Sequence, residues 1–213
     1  MEQSSGMYYN SATSLFCFIY QRNTTYSTLG IVDRAVFLGL DCSTQSLKAI
    51  ALEYNEKENT LELLAEESIN YDTELPHYQT SGGAIRGDDG VTVTAPSIMF
   101  VEALEKLFAK LHSSNFPFDR VTAISASGQQ HGSIYWRRGS SEILRKASAL
   151  APLATQLKDA FAIPNGPIWM DSSTTSLCAE LEKHMGGPLS LAQVTGSRAY
   201  ERFTASQIAK VRF

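Results

Sequence analysis

The chain has 213 residues, of which 43% are hydrophobic and 19% are charged, and its formal net charge is −4. These values are ordinary for a globular protein and exclude a largely disordered chain. The acidic balance also argues against binding to the phosphate backbone of a nucleic acid.

The cysteines and the apolar runs indicate the cellular setting. Cys17, Cys42 and Cys178 are odd in number and form no C-x-x-C pair, which favours a reducing compartment and gives no sign of a zinc site. The apolar run at residues 15–20 is far shorter than the ~20 residues that a membrane-spanning helix needs. We therefore expect a cytoplasmic protein that binds no membrane.

Residues 1–34 differ in composition from the remainder of the chain. They are rich in Ser, Thr, Tyr and Asn and show no sustained hydrophobic period. We predict an irregular N-terminal extension here and a folded domain over residues 35–213. Organelle targeting by this extension is the alternative, although transit peptides are normally Arg-rich.

The first part of the folded region predicts a three-stranded meander. Apolar segments at 36–40, 47–54 and 61–69 are joined by short polar turns, which is typical of antiparallel strands. Residues 72–90 contain Pro76 and four glycines, so an irregular loop is expected there.

A helix and a fourth strand follow the loop. Thr94 is a possible helix cap, Pro96 falls in the first turn, and apolar residues recur at helical spacing at Val101, Leu104, Leu107, Phe108 and Leu111. Residues 121–126 read as a strand that runs parallel to a neighbour, because a helix precedes it. The order strand, strand, strand, helix, strand predicts a mixed α/β fold of the ribonuclease-H-like type that actin-like ATPases use, with several α+β folds of the same element order as the alternative.

The second half is predicted to be mainly helical. A helix is expected over 150–161, a short extended piece over 168–170, and a helix that Ser172 or Ser173 caps and the pair Gly186-Gly187 ends. Further helical segments are predicted up to the C terminus.

Two segments that follow predicted strands contain candidate binding residues. Asp41, with Thr44 nearby, can face phosphate and hold Mg²⁺ through water, or it can simply form an Asx-type turn. His131 lies between Gly128 and Gly132 beside the amides of Gln129 and Gln130, which suits the reading of sugar hydroxyls. A purely structural histidine is the alternative.

Two further candidates lie later in the chain. Trp169 and Asp171 are predicted to share one face of a strand, which would pair an apolar plate with a hydrogen-bond acceptor for a polyol. Asp171 could instead precede a helix N terminus. Arg202 offers a fork of donors for hydroxyls or phosphate, although such residues often form surface ion pairs.

Five blocks of the sequence, in order, resemble eukaryotic xylulose kinases, which are members of the FGGY carbohydrate kinase family. The blocks are FLGLDCSTQSLKAIAL, GVTVTAPSIMFVEAL, SASGQQHGSIYW, IWMDSSTTSLCAEL and TGSRAYERFTASQIAK. The resemblance implies an actin-like ATPase fold and transfer of the γ-phosphate of Mg-ATP to D-xylulose, giving D-xylulose 5-phosphate.

The resemblance also implies roles for individual residues. His131 of the GQQHG block and Arg202 of the AYERF block correspond to sugar-binding residues, with Gln130 beside them. Asp41, with Thr44, corresponds to the phosphate and metal side, and Asp171 lies near the sugar pocket.

The sequence departs from the family pattern at its C-terminal end. The family's catalytic base is the Asp of a GDN block beyond AYERF, whereas this sequence ends at Phe213 without an Asp after Asp171. We expect an N-terminal, sugar-binding domain without the catalytic base and without the C-terminal nucleotide-binding domain. The alternative function is an inactive truncated isoform that at most binds the sugar or a protein partner.

Overall fold

The computed structural model describes residues 18–21 and 34–212. The strands are β1 (Phe18–Gln21), β2 (Arg34–Cys42), β3 (Ser46–Asn55), β4 (Thr60–Asn70), β5 (Ile85–Arg86), β6 (Val93–Pro96), β7 (Val121–Gly128) and β8 (Asn165–Pro167). The helices are α1 (Tyr71–Glu74), α2 (Ser97–Ser113), α3 (Ser140–Lys146), α4 (Leu153–Leu157), α5 (Thr175–His184), α6 (Pro188–Thr195) and α7 (Thr204–Arg212). Short 3-10 turns occur at Pro76–Tyr78 and Phe118–Arg120.

The main sheet has the strand order β1-β7-β2-β3-β4. As predicted, β2, β3 and β4 form an antiparallel meander, and β7 pairs parallel to β2. The register places Asp41 beside Ser127 and Cys42 beside Gly128. The C-terminal ends of β2 and β7 are therefore adjacent, and the loops that follow them meet at one edge of the sheet.

Helix α2 covers one face of this sheet and forms the centre of the core. Met99, Ala103, Leu107 and Leu111 recur at every fourth position, and all four are fully buried. The predicted apolar stripe is confirmed for Leu107 and Leu111, whereas the side chains of Leu104 and Phe108 pack at the margin.

The predicted start of α2 is wrong by several residues. Thr94 does not cap the helix, because it belongs to β6 and pairs with Ile85 on one side and Pro167 on the other. The helix begins at Ser97, directly after Pro96. The N-terminal part of this block thus forms the middle strand of a small sheet with the order β5-β6-β8.

The predicted loop at 72–90 is more ordered than expected. The Asp72 carboxylate accepts hydrogen bonds from the Thr80 hydroxyl at 2.7 Å and from the backbone N–H groups of Gly82 and Gly83 at 2.6 and 3.0 Å. Gly83 has φ +74° and lies so close to the β2–β3 turn that a Cβ there would sit 1.9 Å from the Thr44 carbonyl oxygen. The loop therefore packs directly against the backbone of Thr44.

The second half differs from its predictions in several boundaries. The helix expected over 150–161 is reduced to α4, and α3 precedes it. The extended piece lies at Asn165–Pro167, where it pairs with β6, and residues 168–171 form a turn. Helix α5 begins at Thr175 with Thr174 at the cap position, and the chain leaves it at Gly186-Gly187 as predicted.

The expected N-terminal extension lies outside the described residues, except for β1 and Arg34. Strand β1 pairs antiparallel with β7, so this part of the extension is regular. Among residues 18–21 and 34–212, none of the helices combines the length and the apolar character that crossing a bilayer requires.

Candidate functional site

A cleft of about 350 Å³ opens where the ends of β2 and β7 meet. This volume falls in the range of small-molecule sites, which is about 300–1,000 Å³. The residues that line it are Asp41, Ser43, Thr44, Gly128, Gln129, Gln130, His131, Trp169 and Arg202. The fold thus brings together all of the predicted site residues except Asp171.

Asp41 is held on the sheet side of the cleft by two hydroxyl groups. Ser43 donates to one carboxylate oxygen at 2.6 Å, and Ser127 donates to the other at 3.1 Å. Ser127 reaches Asp41 because the two residues are partners in the parallel β2–β7 register. No local sequence pattern indicates this contact, because it depends on pairing between distant segments of the chain.

Trp169 forms a second wall of the cleft. Its indole N–H donates to the Thr44 hydroxyl at 3.0 Å, and 42% of the residue remains exposed. The hydrogen bond fixes the ring beside Thr44, so a flat apolar surface faces the cleft next to polar groups. This arrangement suits a polyol, whose carbon chain packs on a ring while its hydroxyls bind polar groups.

His131 lies in the turn after β7, with the left-handed φ of +60°. The turn is anchored on both sides, because the Gln129 N–H donates to the Cys42 carbonyl at 2.9 Å and the Ser133 N–H donates to the Pro167 carbonyl at 3.1 Å. Positive φ at a residue other than glycine costs free energy and is common at binding sites. The backbone strain falls on His131 itself and not on the flanking glycines.

The His131 imidazole packs against Phe203, with ring centroids 5.2 Å apart. Phe203 was not predicted as a site residue, although it directly follows Arg202 in the AYERF block. Burial, and after it the positive charge of Arg202, lowers the pKa of His131 below its ordinary value. The neutral imidazole, which both donates and accepts a hydrogen bond, is therefore favoured at neutral pH.

Asp171 lies behind the cleft and is only 1% exposed. Its expected position on a shared strand face with Trp169 is wrong, because the chain turns here and the Asp171 N–H donates to the Ile168 carbonyl at 2.9 Å. Burial alone would raise the pKa of Asp171, but hydrogen bonds from Gln207, Ser173 and the Val93 N–H, with the charge of Lys210, bring that pKa below its usual value. A ligand in the cleft has no direct access to this carboxylate.

The cleft offers oxygen donors to a cation. Within the described ranges, three or more His, Cys, Asp or Glu side chains nowhere come together in a way that could hold a metal ion. The carboxylate of Asp41 and the neighbouring hydroxyls are hard oxygen ligands, and they fit Mg²⁺ held mainly through water and through oxygens of a bound ligand.

Sequence comparison relates the chain to sugar kinases. It is 46% identical over 185 residues to xylulose kinase 2 of Arabidopsis thaliana, and this alignment covers 86% of this chain and 32% of the relative. Identity to the mouse xylulose kinase is 46% over 178 residues, covering 84% and 31%, and to the Saccharomyces cerevisiae xylulose kinase 36% over 201 residues, covering 92% and 32%. The chain thus spans about a third of the length of these relatives.

Solved structures support the fold. The glycerol kinase of Plasmodium falciparum with ADP matches with a TM-score of 0.53 at 18% identity, covering 84% of this chain and 28% of that structure. The xylulose kinase of Bifidobacterium adolescentis matches with a TM-score of 0.50 at 18% identity, covering 84% and 29%. No protein-family model matches the sequence. Identities of 36–46% over 84–92% of this chain show that it is similar to xylulose kinases, and the two solved structures show that it has the fold of sugar kinases.

Proposed function

We propose that this chain forms the sugar-binding part of a kinase that transfers the γ-phosphate of ATP to D-xylulose and yields D-xylulose 5-phosphate. The observation that carries the proposal is the convergence of neutral hydrogen-bonding groups, an arginine and an indole plate on one cleft of sugar size. The names of the relatives suggest xylulose as the sugar, and one of them specifies the D form. The free thiols of Cys42 and Cys178 support the cytosol as its compartment.

The sugar is proposed to lie between His131, Arg202 and Trp169. The neutral imidazole donates to one hydroxyl and accepts from another, while the guanidinium donates in a fixed fork to adjacent oxygens. The indole supports the carbon chain, and Gln130 contributes an amide at the same wall. Each hydrogen bond of this kind is worth about 1–3 kcal/mol when its loss leaves a partner unsatisfied.

The phosphate and metal side is proposed to lie at Asp41 and Thr44. ATP with Mg²⁺, when bound, would supply the phosphoryl group and neutralise its charge. Asp41, held by Ser43 and Ser127, would orient the water shell of the cation, and Thr44 would contact a phosphate oxygen. The rigid carboxylate suits this role because phosphoryl transfer depends chiefly on positioning and on charge stabilisation.

Sugar binding without transfer is the second candidate function of the chain on its own. Transfer requires a carboxylate that takes the proton of the attacking hydroxyl. Among the described residues that line the cleft, Asp41 is the single carboxylate, and both of its oxygens accept hydrogen bonds from serines. This observation favours a binding domain whose catalytic base comes from elsewhere.

Fluorescence of Trp169 offers a direct test of sugar binding. The chain has two tryptophans, and Trp136 packs on Phe161 with ring centroids 4.9 Å apart, so Trp136→Phe leaves Trp169 as a reporter in the cleft. D-xylulose should change the emission of Trp169 saturably.

His131→Ala and Arg202→Ala should each weaken binding of D-xylulose by about 5- to 150-fold, whereas His112→Ala and Arg198→Gln, at exposed positions, should not.

Release of ADP separates the two candidate functions. The purified chain, shown by circular dichroism to be folded, is mixed with Mg-ATP in the presence and absence of D-xylulose. ADP release that depends on the sugar supports transfer by this chain, and saturable binding without release supports the binding domain. A folded chain whose Trp169 emission does not change when D-xylulose is added would refute the proposed sugar site.

A further inference from the structure

A buried polar cluster lies directly behind the segment that carries Arg202. It consists of Asp171, Thr174 and Gln207, and we name it the Asp171 cluster. These residues are 1%, 0% and 0% exposed, so water does not compete for their hydrogen bonds. Polar groups buried this deeply are costly unless they are paired, which makes their partners informative.

Two members of the cluster hold the same backbone atom. The Thr174 hydroxyl donates to the Glu201 carbonyl oxygen at 2.7 Å, and the Gln207 amide donates to that oxygen at 2.8 Å. Because a peptide unit is planar, fixing the carbonyl of Glu201 also fixes the nitrogen of Arg202. The cluster thereby sets the direction in which Arg202 leaves the backbone.

Asp171 in turn orients Gln207. Its Oδ1 accepts from the Gln207 amide at 2.9 Å, and its Oδ2 accepts from the Val93 N–H at 2.9 Å. Ser173 and Lys210 supply further donors at 2.7 and 3.3 Å. The carboxylate is thus tied to β6, to the turn before α5 and to α7, and its position cannot change without moving one of them.

The front of the same segment touches the sugar-facing histidine. Phe203 packs on the His131 ring at 5.2 Å and on the Tyr200 ring at 5.2 Å. A displacement of the segment at Glu201 would therefore move both Arg202 and the aromatic support of His131. The positions of Arg202 and of the His131 ring in the cleft therefore both depend on the anchored carbonyl group of Glu201.

We propose that Asp171, through Gln207 and together with Thr174, is a positioning residue that holds Arg202 and Phe203 in the geometry needed to bind the sugar. This inference rests on the proposed function for its ligand but not for its geometry. It assigns Asp171 a place behind the sugar pocket, where it acts through other residues and does not touch the ligand.

The test compares variants that remove the hydrogen bonds to Glu201 with variants that leave them intact. Thr174→Val removes the hydroxyl while keeping the shape, and Gln207→Met removes both amide bonds at similar volume. Thr174→Ser keeps the donor, and Arg198→Gln breaks only the exposed Arg198–Glu182 ion pair in the same segment. Each variant is measured for its unfolding transition, its Kd for D-xylulose and the NMR titration of His131.

Thr174→Val and Gln207→Met should weaken D-xylulose binding by about tenfold or more, because Arg202 loses its set direction. The pKa of His131 should rise toward its ordinary value in both, since Phe203 no longer covers the ring and Arg202 moves away. Thr174→Ser and Arg198→Gln should keep the wild-type Kd and the wild-type His131 titration. Wild-type binding by Thr174→Ser, which keeps the hydroxyl but has a smaller side chain, would show that the hydrogen bond matters and not the filling of space.

A folded Gln207→Met protein with the wild-type Kd and an unchanged His131 titration would overturn the inference. If Gln207→Met does not fold, Asp171→Asn decides in its place, because it changes the carboxylate that orients Gln207 and leaves the Thr174 hydroxyl intact. If the wild-type chain does not bind D-xylulose, the proposed function fails, and the His131 titration still shows whether the Asp171 cluster sets the cleft geometry.

Discussion

Replacing Gly83 with alanine should destabilise the fold more than replacement of an unhindered glycine. The residue has φ +74°, and the added Cβ would lie 1.9 Å from the Thr44 carbonyl oxygen, which is backbone and cannot swing aside. The left-handed conformation costs an alanine about 1–2 kcal/mol, and forcing an extra carbon into a packed position costs about 1–3 kcal/mol more. We therefore expect a loss of about 2–5 kcal/mol in the free energy of unfolding.

Gly90→Ala provides the matched control for this prediction. Gly90 has nearly the same φ, +71°, but an added Cβ would meet no atom within 4 Å. Its replacement should cost only the conformational strain, about 1–2 kcal/mol. Urea unfolding followed by circular dichroism measures both, and equal losses in the two variants would refute the claim that Gly83 is required for close approach to Thr44.

Two further predictions concern the core and the buried carboxylate. Leu107→Ala should lower the free energy of unfolding by about 2–5 kcal/mol because Leu107 is fully buried. Val101 is partly exposed, so Val101→Ala should lower it much less. Similar losses in the two variants, measured by urea unfolding, would contradict the described core. The folded-state pKa of Asp171 lies below its ordinary value of 3.8, so its stabilising effect should be present above that value and disappear as the pH falls through the folded pKa. Asp171→Asn should therefore be less stable at neutral pH and lose less stability on acidification, and parallel pH curves for the two proteins would count against this account.

Strands β2, β3, β4 and β7 of the main sheet were predictable because their patterns are local, whereas β1 lies in the segment that was expected to be irregular. Strands β2, β3 and β4 follow one another with short turns, and each contains an apolar run that marks it as a strand. The small sheet was not predictable in the same way. Its strands have two to four residues, too few for a period, and the pairing of Thr94 with Pro167 joins distant parts of the chain.

The residues of the candidate site also differ in whether local sequence or distant contacts reveal them. His131 and Arg202 stand in short sequence blocks, so the resemblance to sugar kinases identified them before any contact was known. The burial of Asp171 was hidden, because its partners Gln207 and Lys210 follow 36 and 39 residues later. A carboxylate is expected at a surface unless distant donors are known to surround it.

The parallel pairing of β2 with β7 has a consequence for the order in which the molecule can assemble. The β2–β3–β4 hairpins join neighbouring segments, whereas Asp41 and Ser127 are 86 residues apart and must close a long loop before they meet. The meander can therefore form early during synthesis, but the cleft exists only once β7 has been added between β1 and β2. A small molecule that binds this cleft binds only the folded chain, so it would raise the melting temperature, and the rise would grow with the logarithm of its concentration above Kd.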